Sequence, residues 1–167
     1  MRSFLLCAVL LGSGALALPA AAQQPSPSQT AVTTCTFADG KEISLRYNPA
    51  NPREQMPSNK PWGPGGSPMY LFTQASVTVG NTTIAPDAYS VYVIGGREPW
   101  KLVINKDVKI GSKYDASKDL VRVPMDSGEL PSPEKELRPY FVHAAPQQCN
   151  LRLYYQKTGA WAEFKEK

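Results

Sequence analysis

APDAYSVYVIGGREPWKLVINKD, residues 85–107, holds two alternating runs around a Gly-Gly break. In the first run Tyr89, Val91 and Val93 fall on one side of an extended chain, with Ser90 and Tyr92 on the other. In the second, Trp100, Leu102 and Ile104 share a side opposite Lys101 and Asn105. Alternation on both sides of Gly95-Gly96 predicts two antiparallel strands, each with one face in a core. Tyr89 and Trp100 are expected inside, because large aromatics supply much of the area buried between two sheets. Tyr92 lies on the other face and is the ring expected at the surface.

The same period recurs outward from this stretch. YLFTQ (70–74) and SVTVG (76–80) precede Asn81-Thr82-Thr83-Ile84, the return of a short turn. Upstream, CTFADGKEISLRY (35–47) sets Asp39-Gly40 between two alternating runs, a hairpin signal, with Ile43, Leu45 and Tyr47 on one face. Downstream, NLRLYYQ (150–156) and AWAEF (160–164) flank Lys157-Thr158-Gly159, which reads as a hairpin loop. There Leu151, Leu153 and Tyr155 oppose Arg152, Tyr154 and Gln156. The sole helical hint is one turn at 116–120, and no internal repeat is present. Residues 48–68 are dense in Pro, Gly and Asn and read as a long loop. Many short strands between turn signals predict an all-β chain, an antiparallel β-sandwich with a long Pro/Gly-rich loop.

The first residues, MRSFLLCAVLLGSGALALPAAAQQ, combine a positive charge at Arg2, a short apolar core and small residues at 20–22. That is the form of a secretory signal, and cleavage is expected after Ala22. Cys7 sits inside the apolar core with Leu6 before it, so a lipidated N-terminal Cys is not expected. The expected organisation is a signal peptide at 1–22, a flexible polar lead-in at 23–34 and one sandwich domain at 35–167. The expected location is periplasmic or secreted. No later stretch reaches the roughly 20 apolar residues of a bilayer span, so the processed chain is not expected to cross a membrane. The formal charge of +4 includes Arg2 and lacks any Lys/Arg block. Nucleic acid is therefore not an expected partner. Cys35 and Cys149 remain after cleavage, and an even count in an oxidising compartment predicts a disulfide between them.

Chemistry is sparse. His143 is the lone histidine, and FVHAAPQQC around it resembles no nucleophile elbow. With one His and both remaining cysteines paired, neither a catalytic triad nor a zinc site is expected, and no cofactor is implied. Asp115, Ser117, Asp119 and Asp126 fall at positions one, three, five and twelve of a calcium-loop template. Leu120 stands where the template needs Gly, and an Asp ends it where a bidentate Glu belongs, so a strand leaving an Asx turn reads better. Asn81-Thr82-Thr83 matches a glycosylation acceptor, which a bacterial origin would make irrelevant. Trp62, Tyr92 and Tyr154 are the aromatic side chains expected to stack on flat ligands such as sugar rings. The expected role is a non-catalytic exported module that binds an envelope or extracellular component, with glycan among the expected ligands. The alternatives are a carboxylate-dependent hydrolase of envelope polymers through Asp115 or Asp119, or a purely structural envelope protein.

DAYSVYVIGGREPWKLVINK (87–106) resembles the signature of a bacterial exported family catalogued as domain of unknown function 2911, with Ala88 where Gly is usual. KYDASKDLVRVPM (113–125) is similar to that family's Tyr-Asp…Asp…Arg-Val segment, and CTFADGKEISLRY to the opening strand pair of some members. The resemblance spans residues 35–167. It departs at PWGPGGSPMY (61–70), where Trp62 remains but Gly63 and Ser67-Pro68 replace a usual Arg and Asn-Glu. The resemblance implies location and architecture, and no chemistry.

Overall fold

A computed structural model of the chain describes residues 31–49, 54–96 and 99–167. The expected signal peptide and residues 23–30 of the expected lead-in lie outside the described residues. The strands are β1 Ala31–Thr36, β2 Glu42–Tyr47, β3 Met69–Thr73, β4 Val77–Val79, β5 Thr82–Ile84, β6 Asp87–Ile94, β7 Lys101–Asn105, β8 Asp119–Pro124, β9 Asp126–Ala145 and β10 Gln148–Glu166. They form a six-stranded sheet, β1-β2-β3-β6-β7-β8, and a four-stranded sheet, β5-β4-β10-β9, with every pairing antiparallel.

The two sheets pack face to face as a sandwich. Alternation places Ile43, Leu45, Leu71, Val91, Leu102 and Ile104 on the inner side of the larger sheet, all fully buried. Val77, Leu151, Leu153 and Phe164 meet them from the smaller one. Tyr89 and Trp100 belong to this core, as the alternation predicts. At one seam β1 lies against β9, where the Phe141 amide donates to Thr33 Oγ1 at 2.8 Å. The Cys35–Cys149 disulfide joins the sheets at β1 and β10. Among the described residues no helix is long and apolar enough to cross a membrane.

Two sequence expectations change. The lead-in ends earlier than Thr34, because Ala31–Thr36 pairs along its whole length with β2. Lys157-Thr158-Gly159 is not a hairpin loop. The chain runs through it as one strand, β10, with register irregularities on both sides of Gln156, whose φ is +51°. The hairpin partner is instead Asp126–Ala145, where Pro131, Pro133 and Pro139 break any readable alternation. Those prolines are tolerated because β9 is an edge strand, where a missing N–H need not cost a ladder bond. The single helical turn expected near 116 is present as a 3-10 turn, Ala116–Lys118.

Candidate functional site

The outward face of the four-stranded sheet is built by Arg152, Tyr154, Gly159 and Trp161 on β10 and by their partners on β9. Tyr154 and Trp161 are seven positions apart, so uniform pleating would put them on opposite faces. The irregularity around Gln156 reverses the parity and brings both rings to one side. Between them Gly159 faces Gly128 directly across the pair. The result is a dent of about 260 Å³ with a floor lacking side chains, walled by Tyr154, Trp161, Leu130 and Arg152.

The floor depends on both glycines. A Cβ on Gly159 would lie 3.1 Å from Leu130 Cδ2 and 3.3 Å from the Tyr154 ring. One on Gly128 would stand 3.9 Å from the Trp161 ring. Tyr140 supports the wall from outside, its ring centroid 5.7 Å from that of Tyr154. Arg152 Nε is buried and has no hydrogen-bond partner among the described residues. A buried N–H without an acceptor costs free energy. The rim carries the exposed pair Lys157–Glu129 at 3.5 Å.

Of the three aromatics singled out by sequence, Tyr154 alone belongs to this surface. Trp62 is buried, contrary to expectation. Its backbone pairs with Val93 in both directions at 2.8 and 2.9 Å, and its ring lies 6.2 Å from Tyr155. Its indole N–H is already spent on Glu54 Oε1 at 3.0 Å. The same carboxylate accepts the Gly65 and Gly66 amides at 2.9 and 3.2 Å, which ties the 54–66 segment together. Tyr92 does lie on the outer face of its sheet, but that face is covered. The segment after β7 folds back over it, and Tyr114 packs edge-on at 4.9 Å. Burial accordingly pushes the Tyr92 hydroxyl pKa up. Trp161 escaped the sequence reading because a parity reversal at a non-glycine residue has no local signature, whereas Arg152 shares the face of Tyr154 by simple alternation.

The acidic residues of the calcium template are not gathered around a common point. Asp115 Oδ1 accepts the Ser117 amide at 3.0 Å and its hydroxyl at 2.7 Å, the Asx turn expected from sequence. Asp119 accepts from Tyr114 at 2.6 Å, from Arg122 Nε at 2.7 Å and from Asn105 Nδ2 at 2.8 Å. Asp126 lies on β9 opposite Trp161. Among the described residues no group of three or more His, Cys, Asp or Glu is placed to hold a metal ion. His143 is exposed near the end of β9.

Asn105, Tyr114, Asp119 and Arg122 thus form one hydrogen-bonded cluster. It pins the 106–118 segment over Tyr92 and Val103. Arg122 Nη2 also donates to the Tyr114 hydroxyl at 2.8 Å. Burial first, and the hydrogen bond to Asp119 second, push the Tyr114 pKa up to about 12. Every group in the cluster is engaged with another, so its evident work is to shape the face.

The family model described as "Protein of unknown function (DUF2911)" matches residues 26–164. No curated protein and no solved structure matches the chain. The stretches that carry the resemblance include Asn105, Tyr114, Asp119 and Arg122, the four residues of the hydrogen-bonded cluster. Where the chain departs from that pattern, Gly63 is required by its own loop. A Cβ there would fall 1.9 Å from the Ser67 carbonyl oxygen, so no Arg fits this backbone.

Proposed function

The chain belongs to the DUF2911 family, whose description assigns no activity, and we propose from its own surface that it is an exported, non-catalytic module that binds glycan. The observation that carries this reading is the dent between Tyr154 and Trp161. Sugar rings present flat C–H faces that pack on aromatic walls, and their hydroxyls seek donors and acceptors at the edge. A side-chain-free floor lets such a ring descend between the walls. Arg152 in the lining supplies a guanidinium to donate to a hydroxyl or carboxylate of the sugar. The non-catalytic reading is supported by Asp119, both of whose carboxylate oxygens are taken by neighbouring donors, and by Asp115, whose Oδ1 is held in its own turn by Ser117. Export is supported by the signal-like first residues, and the disulfide is compatible with an oxidising compartment.

The test is affinity for envelope and extracellular oligosaccharides, neutral and uronate-bearing, measured by calorimetry on the folded protein. Removing a stacking wall by Tyr154→Ala or Trp161→Ala is expected to weaken binding about tenfold or more, with Tyr92→Phe as an unaffected control. No binding by the folded wild type, or equal affinity in folded wall variants, overturns the reading. N-terminal sequencing of the protein recovered outside the cytoplasm checks export, with Gln23 expected first.

A further inference from the structure

The larger sheet carries a cleft of its own, about 440 Å³, on its outer face. Phe72 and Ala88, direct cross-strand partners on β3 and β6, line it together with Tyr70. Val108 and Ile110 overhang it from the segment after β7. Ile110 is 87% exposed and Val108 41%. Large aliphatics at that exposure normally belong to loosely held loops, but this one is fastened. Asn105 Oδ1 accepts the Asp107 amide at 2.8 Å, Asp107 accepts the Lys109 amide at 3.1 Å, and Lys118 Nζ reaches Asp107 Oδ2 at 2.8 Å. The hydrogen-bonded segment therefore holds two apolar side chains out over an aromatic floor.

Arg46 is the charged residue of this lining. Its guanidinium carbon lies 5.1 Å from the Phe72 ring centroid, and no carboxylate pairs with it among the described residues. An unpaired guanidinium beside apolar walls is complementary to an acid group on an apolar body. The cleft volume lies within the range of small-molecule sites, roughly 300–1,000 Å³.

We propose that this cleft binds a small amphipathic monoanion, a carboxylate or sulfonate on a flat or short-chain apolar body. Arg46 takes the acid group, and Phe72 and Ile110 take the body. The site does not rest on the glycan reading, since it uses the opposite outer face of the sandwich and different residues.

The test is fluorescence titration of the folded protein with 8-anilinonaphthalene-1-sulfonate, using decanoate and decanol as competitors. Saturable binding at one dye per chain is expected, with decanoate displacing it far better than decanol. Arg46→Gln is expected to weaken decanoate about tenfold and to leave decanol within about twofold. Ile110→Ser, a surface change that leaves the fold intact, is expected to weaken both. Absence of saturable binding by the wild type overturns the proposal. So does unchanged affinity in Arg46→Gln and Ile110→Ser at wild-type melting temperature, or equal loss of decanoate and decanol in Arg46→Gln.

Discussion

Gly128 and Gly159 face each other across β9 and β10, and this pairing leaves the floor between the Tyr154 and Trp161 rings bare. Two glycines in one register position weaken a ladder, since neither offers a side chain to pack. Here the lost packing is what creates the depression. The two positions also differ in how much room a methyl would have, and that difference separates folding from binding.

At Gly128 the added Cβ would make ordinary contact with Trp161 at 3.9 Å. Gly128→Ala is expected to change unfolding free energy by less than about 0.5 kcal/mol while reducing glycan affinity. At Gly159 the added Cβ would press on Leu130 and Tyr154. Gly159→Ala is expected to cost about 1 kcal/mol and to abolish the dent. Urea unfolding and calorimetric affinity on both variants check the contrast.

Cys35 and Cys149 are separated by 114 positions and tie the two sheets together. Replacing both with Ser is expected to lower unfolding free energy by about 4 kcal/mol, because the unfolded chain regains the entropy of a very long loop. Urea unfolding of the double variant against the oxidised wild type measures it.

Tyr114 predicts an alkaline weakness. Its folded pKa, raised from 10.0 to about 12, means that the native state holds this proton more tightly than the unfolded chain does. That contribution is fully present below pH 10.0 and is lost as pH rises toward about 12. Burial raises Tyr47, Tyr89 and Tyr92 in the same direction, so wild type alone will not isolate the effect. The stability difference between wild type and Tyr114→Phe is expected to shrink across that window. Chemical denaturation at pH 8, below the unfolded-state value of 10.0, and at pH 10 and 11.5, as the window opens and nears its end at about 12, tests it.

Glu54 collects the Trp62 indole N–H and the Gly65 and Gly66 amides. Glu54→Ala leaves these three donors without their acceptor and is expected to cost about 1–3 kcal/mol. Cleavage within 54–66 by a nonspecific protease should rise, and Trp62 emission should shift to the red as water reaches the ring.

The architecture was written in local alternation. Tyr89, Trp100, Leu102 and Ile104 had to face inward because an extended chain offers only two sides and one must exclude water. The Asp39-Gly40 hairpin, the Asn81 turn and the Asx turn at Asp115 follow from neighbours in sequence. The pairing of Cys35 with Cys149 followed from their number and the compartment expected for them. What tertiary structure decided is which outward faces stay open. Tyr92 and Trp62 lost their surface to segments that fold back on them, one fastened by Asp119 and the other by Glu54. Tyr154 and Trp161 came together because an irregularity at Gln156 reversed the pleat. Side-chain direction is a property of the nearest bonds, whereas cover and parity depend on where distant backbone is laid, and no local pattern carries that.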